Sequence, residues 1–178
     1  NFGLLFYFKY FNFFLSNINS LFKTNINLFS IVLPLGISFY TFKNASYLID
    51  VYKNRVNSEK NFINYFTYIA MFPSLIQGPI VRYKDIDLKD KKISFDNFAM
   101  GVERFVIGLS KKVILADTLA KLVTSLTNME VQTVVSLWVK ATSDIVKLYL
   151  DFSGYTDMAI GLGLMIGIKI MENFDYPL

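Results

Sequence analysis

The chain has 178 residues, 53% of them hydrophobic and 18% charged, with a mean hydropathy of +0.40. A soluble domain carries about 25% charged residues, so this chain has too little charge to cover a water-facing globule, and the same apolar content excludes disorder. With no Cys and no His, these residues hold no disulfide frame, no thiolate site and no His-based acid–base or metal chemistry; the net charge of +4 fits basic loops at a membrane surface better than nucleic-acid binding.

The chain opens inside an apolar run, Phe2 to Leu15, broken only by Lys9. It shows neither the basic start nor the small-residue cleavage site of a signal peptide. It ends on Asp175, Tyr176, Pro177 and Leu178, with no charge cluster. The expectation is a piece of a longer membrane protein, cut at both ends, with residues 1–178 forming part of a single integral-membrane domain. Phe2 to Leu15 is then a truncated span. Leu28 to Phe42 holds Pro34 and Gly36 and is too short for a plain span of about 20 residues, so a kinked or re-entrant segment is expected.

Lys43 to Lys60 is polar. Asn61 to Val81 has no charge, but Pro73, Gly78 and Pro79 predict a helix that breaks near Pro73 or Gly78. Arg82 to Lys92 is strongly charged and belongs outside hydrocarbon. Basic stretches thus flank Asn61–Val81 on both sides, a conflict with the positive-inside rule that favours re-entrant or in-plane helices. Phe98, Val102, Phe105, Val106, Leu109 and Val113 recur on one helical face, with Ser94 or Asp96 as a start cap, and predict an amphipathic helix lying in the interface or packing across others.

Val123 to Leu150 is mostly apolar, with Lys140 and Asp144 four apart. Phe152 to Ile168 carries only Asp157 as a charge, and its Gly163 and Gly167 are spaced for close helix packing. The fold class that follows is all-α: a polytopic membrane bundle with kinked, re-entrant and in-plane amphipathic helices.

Ionisable groups at membrane depth mark polar cavities by default. Asp151, Ser153, Tyr155 and Asp157 cluster at the mouth of the last apolar segment, where Asp151 has the alternative of capping the following helix. Gln77, Arg82 and Tyr83 follow a broken apolar segment, and Arg82 suits an anionic group of a substrate or a lipid phosphate. Ser153 has no His here to activate it. No phosphate loop, carboxylate pair or metal cluster is evident. On these residues alone a transporter and a non-catalytic membrane scaffold stay open beside an enzyme.

Several blocks occur together and in order: Leu33 to Phe42 (LPLGISFYTF) with Tyr47 to Tyr52 (YLIDVY), Gln77 to Lys84 (QGPIVRYK), Arg104 to Lys112 (RFVIGLSKK) with Ala116 and Asp117, Asp151 to Gly161 (DFSGYTDMAIG), and Glu172 to Pro177 (ENFDYP). Over nearly the whole chain they resemble the membrane-bound O-acyltransferase family, in its bacterial alginate O-acetyltransferase-like branch. The resemblance implies a multi-pass enzyme of the bacterial cytoplasmic membrane. Such an enzyme moves an acyl group, acetyl by the branch, onto hydroxyls of a cell-surface polysaccharide or cell-wall acceptor, with partner acetylation proteins. It implies no bound cofactor and an acyl donor that is acetyl-CoA or a carrier-linked acyl group. It also implies a catalytic His downstream of Leu178, so that these residues contribute cavity wall: Gln77, Arg82, Tyr83, Asp151, Ser153, Tyr155, Asp157 and Asn173.

Overall fold

In the computed structural model the described residues are 2–75, 79, 81–86 and 93–174. Among them every regular element is helical and no strand occurs, as the composition and periodicity predict. Gln77 and Gly78 lie outside the described residues. The chain divides between Met71 and Phe72 into two compact units.

In the first unit, α1 (Phe2–Leu5) passes through a π-helical stretch, Phe6–Tyr10, into α2 (Phe11–Phe22), which ends at Lys23 with φ 52°. Asn12 and Asn19 are seven apart and so share a face of α2. Asn12 donates to the Phe29 carbonyl (2.7 Å) and accepts from the Phe29 N–H (3.0 Å); Asn19 does the same for Ile26 (2.8 and 3.0 Å). These side chains serve the backbone of a non-helical stretch, 24–33, that runs back along α2 without a ladder of its own. The 28–42 block is therefore not one kinked span. Pro34 cannot donate, Gly36 turns at φ 73°, and α3 (Ile37–Tyr52) starts there and runs across the expected boundary at Lys43.

The buried face of α3 carries Ile37, Thr41, Lys43, Tyr47 and Asp50, whereas Phe42, Leu48, Ile49 and Tyr52 are exposed. Asn61 caps α4 (Phe62–Ile69) by accepting from the Ile63 N–H at 2.9 Å. This helix stops at Ala70, shortly before Pro73, where the sequence predicts the break. No helix among the described residues is long and apolar enough to cross a membrane.

In the second unit, Ser94 accepts from the Asn97 N–H (3.1 Å) and opens α5 (Phe95–Ser110). The predicted helix does not stop at Val113. It continues through a π-helical stretch, Lys111–Ala116, into α6 (Asp117–Thr127). The wider turn takes in one extra residue and moves the packed phase along by one, so Ala116 is buried while Leu115 is exposed. A capping box of Thr133 and Ser136 then opens α7 (Val134–Met165), 32 residues long.

Three expectations are corrected here. The division between the 123–150 and 152–168 stretches does not exist, so Asp151 lies in mid-helix and caps nothing. Asp144 accepts from Lys147 at 2.7 Å, one turn on, and not from Lys140. Gly167 lies beyond the end of α7 at φ 76°, so Gly163 and Gly167 form no packing seam.

Gly167 instead turns the chain back. The Ile168 N–H bonds the Gly163 carbonyl (2.8 Å) and the Gly167 N–H bonds that of Leu164 (3.0 Å), the paired bonds of a Schellman ending. Residues 168–174 return along α7 as a strap. Ile168 and Ile170 are buried, Lys169 and Met171 are exposed, and the Phe174 ring stands edge-on to Tyr149 (5.6 Å) and Phe152 (5.2 Å). Gly167→Ala should cost about 1–2 kcal/mol, because only glycine enters this backbone region freely. Gly167→Asn should cost less. Thermal unfolding of the full-length protein in detergent checks both, and an unchanged midpoint for the alanine variant contradicts the assignment.

Candidate functional site

The site is a seam between α5 and α7. Both helices carry the same spacing with opposite charge: Gly101, Arg104 and Gly108 on α5, and Gly154, Asp157 and Gly161 on α7. The helices run antiparallel, so Gly101 meets Gly161 and Gly108 meets Gly154. A Cβ at Gly101 would stand 2.7 Å from the Gly161 carbonyl oxygen, and one at Gly108 would stand 2.5 Å from that of Gly154. All four contacts are backbone against backbone, which only glycine permits.

This approach brings the charges together. Asp157 Oδ1 accepts from Arg104 Nε (2.8 Å) and lies 2.7 Å from Nη2; Oδ2 accepts from Lys111 Nζ (2.6 Å). The Asp157 side chain is 6% exposed. Lys111 also donates to the buried Ser153 Oγ at 3.1 Å. Arg104 Nη2 reaches Glu172 Oε2 on the strap at 2.6 Å. One residue further along, Lys112 lies between Asp151 (2.8 Å) and Asp117 (3.0 Å). Hydrogen bonds to Asp151 and then Asp117 hold its ammonium above the ordinary lysine value. The π-helical stretch begins at Lys111, where both lysines reach α7.

The chemistry of the seam is restricted by this saturation. Both oxygens of Asp157 are engaged by cations, so this carboxylate is spent on holding Arg104 and Lys111 in place. Lys111 bridges Ser153 and Asp157, tying two turns of α7 to the end of α5. The seam orients and locks helices.

Of the residues singled out from the sequence, the structure brings Asp151, Ser153 and Asp157 to this seam. Tyr155 is half-buried on α7, and Asn173 is half-buried on the strap beside Glu172. Arg82 is exposed at the start of a 3-10 turn, Tyr83–Asp85, and forms no ion pair among the described residues; Tyr83 is half-buried in that turn. Gln77 lies outside the described residues. The sequence reading missed Arg104, Lys111, Lys112, Glu172 and the four glycines as a set. The shared Gly-x-x-charge-x-x-x-Gly spacing was the signal available.

The family model for the "MBOAT, membrane-bound O-acyltransferase family" matches residues 56–177, more than half of the chain. "Probable alginate O-acetylase AlgI" of Pseudomonas aeruginosa is 44% identical over 177 residues, covering 96% of this chain and 34% of the relative. "Peptidoglycan O-acetyltransferase" of Helicobacter pylori is 36% identical over 213 residues, covering 99% of this chain and 39% of the relative. "Teichoic acid D-alanyltransferase" of Bacillus subtilis is 26% identical over 150 residues, covering 80% and 38%. The chain spans about a third of the length of the curated relatives it matches most of. Matched through the α5–α7 seam and along the strap, the chain belongs to the membrane-bound O-acyltransferase family.

Proposed function

We propose that this chain is part of a multi-pass enzyme of the bacterial cytoplasmic membrane that transfers an acyl group, acetyl by the names of its nearer relatives, to hydroxyls of a cell-surface polysaccharide. The donor is acetyl-CoA or a carrier-linked acyl group. The observation that carries the membrane part of this reading is inverted packing. On α5 the buried positions are Gly101 and Gly108, with Arg104 half-buried in the same seam; of the predicted stripe, Phe98, Val102, Val106, Leu109 and, in the following π-helical stretch, Val113 are exposed, and Phe105 is half-buried. The predicted apolar stripe faces outward. In water that arrangement forfeits about 25 cal/mol per Å² of apolar surface left uncovered. Against lipid or further apolar helices it forfeits nothing, and small residues at the helix contact are what such surroundings favour.

Acyl transfer to a hydroxyl needs a base near the acceptor oxygen. This chain has no His, and the saturated seam offers no substitute. The base belongs to the remainder of the protein, and the seam, with Asp151, Ser153 and Asp157, supplies a rigid wall beside which Tyr155 on α7 and Asn173 on the strap lie. Labelled-acetyl transfer to polysaccharide by the full-length protein in membranes tests the reading. The full-length protein should incorporate label, and residues 1–178 alone should give none above background, since loss of a general base costs about 10²–10⁴ in rate. No transfer by the full-length protein with any acyl donor offered overturns the reading. Turnover by residues 1–178 overturns the placement of the base.

A further inference from the structure

We infer that Arg104 is a positioning residue: through Glu172 it fixes the strap, and with it the direction in which the chain leaves Phe174. The inference rests on the acyltransferase reading for its consequence, because that reading places the catalytic base in the chain that follows.

The geometry begins with the lack of slack. The strap leaves α7 at Gly167, and Phe174 reaches the rings of Phe152 and Tyr149. From Met165 back to Phe152 is thirteen helical steps, about 20 Å. Seven residue steps from Gly167 to Phe174 span at most about 25 Å when fully extended. A nearly extended path is needed before the bend at Asn173, and the alternation of buried Ile168 and Ile170 with exposed Lys169 and Met171 agrees with it. A taut segment is positioned by its few pins. Between the buried isoleucines and Phe174 the ion pair among the described residues is Glu172 with Arg104.

Arg104 suits this task because a planar guanidinium serves two carboxylates in fixed directions, Asp157 through Nε and Nη2 and Glu172 through Nη2. Asp157 is buried and itself held by Lys111, so Arg104 is anchored to the helix seam before it reaches the strap. A lysine at 104 ends one bond short of Nη2, the atom that meets Glu172, and lacks the rigid fork. It would keep a cation near Asp157 and lose Glu172. Removing the Glu172 charge breaks the same link from the other side. The two changes should therefore act as one.

The test uses the full-length protein with Arg104→Lys, Glu172→Gln and the double variant. Lys169 is exposed on the strap and is a trypsin site, so the rate of cleavage after Lys169, followed by mass spectrometry in detergent, reports strap loosening without reference to activity. Each single variant should speed that cleavage about two- to fivefold, the range expected for loss of a part-exposed ion pair. The double variant should be no faster than either single one. In acyl transfer, kcat should fall at least as much as cleavage rises, with KM for the acyl donor unchanged, because a misplaced group loses rate rather than binding. Unchanged cleavage, or additive effects in the double variant, overturns the clamp. Faster cleavage with unchanged kcat overturns the positioning role. A full-length wild-type protein with no transferase activity overturns the acyltransferase reading and the positioning role with it, while the cleavage result still decides the clamp by itself.

Discussion

Gly108→Leu is expected to prevent α5 from seating on α7. Even the first carbon of any side chain at 108 would stand 2.5 Å from the Gly154 carbonyl oxygen, 2.7 Å from the Met158 nitrogen and 2.8 Å from the Asp157 Cβ. Two of the three are backbone atoms of a helix, which cannot step aside as a flexible side chain does. Overpacking typically costs about 1–3 kcal/mol where side chains can adjust. Here the helices must separate, and the separation also pulls Arg104 and Lys111 away from a buried carboxylate. A cost of at least about 3 kcal/mol follows, against a total stability of about 5–15 kcal/mol for a typical domain. Gly108→Ala should be milder, because alanine returns up to about 1 kcal/mol in helix propensity. Gly3→Ala is the control: nothing lies within 4 Å of a Cβ there, and the change should be neutral or slightly stabilising. Membrane abundance and the thermal midpoint in detergent measure all three. Normal abundance and midpoint for Gly108→Leu would mean that α5 and α7 do not meet through their glycines.

The same seam shows which parts of the molecule the sequence disclosed. A helix start was legible where a single side chain makes it: Ser94, one of the two caps expected, accepts from the first turn of α5. The stop before Pro73 was legible because proline removes a donor. The stripe of α5 was read as lying in an interface or packing across other helices, and periodicity alone did not say which face meets α7. In this fold the stripe is exposed, and the contact is made by the residues with the least surface to bury. Gly101 and Gly108 gain their meaning from their match to Gly161 and Gly154. The π-helical stretch at Lys111–Ala116 has no sequence signature. It changes which residues face inward by one position, which is why reading a regular helix through Val113 could not place Ala116. The strap was missed for a related reason. Gly167 was counted as a packing residue by its spacing from Gly163, when its backbone conformation makes it a turn. Asp151 and Asp157 were singled out as charges beside or within an apolar stretch, and their partners, Arg104, Lys111 and Lys112, are some forty to fifty residues away in sequence.

Those partners also separate the two aspartates. Asp157→Asn keeps the shape and removes the charge from a side chain that is 6% exposed and bonded by two cations. Lys111 then faces Ser153 and an amide, and Arg104 keeps only Glu172. Breaking a buried pair by removing one partner costs about 3–5 kcal/mol. Arg104 and Lys111 are about a third exposed, so water recovers part of this, and about 2–4 kcal/mol is the expected loss. Asp151→Asn removes a charge from a side chain 36% exposed, and Lys112 retains Asp117 at 3.0 Å. Its cost should stay within about 1 kcal/mol. In the full-length protein, Asp157→Asn should lower membrane abundance and acyl transfer together, and Asp151→Asn should leave abundance near normal. Transfer per folded molecule then tells what else each carboxylate does. If Asp151→Asn is fully abundant yet transfers poorly, Asp151 serves the reacting groups directly. If Asp157→Asn is as stable as the wild type, the ion-paired seam contributes nothing to the fold, and the contact between α5 and α7 rests on its glycines alone.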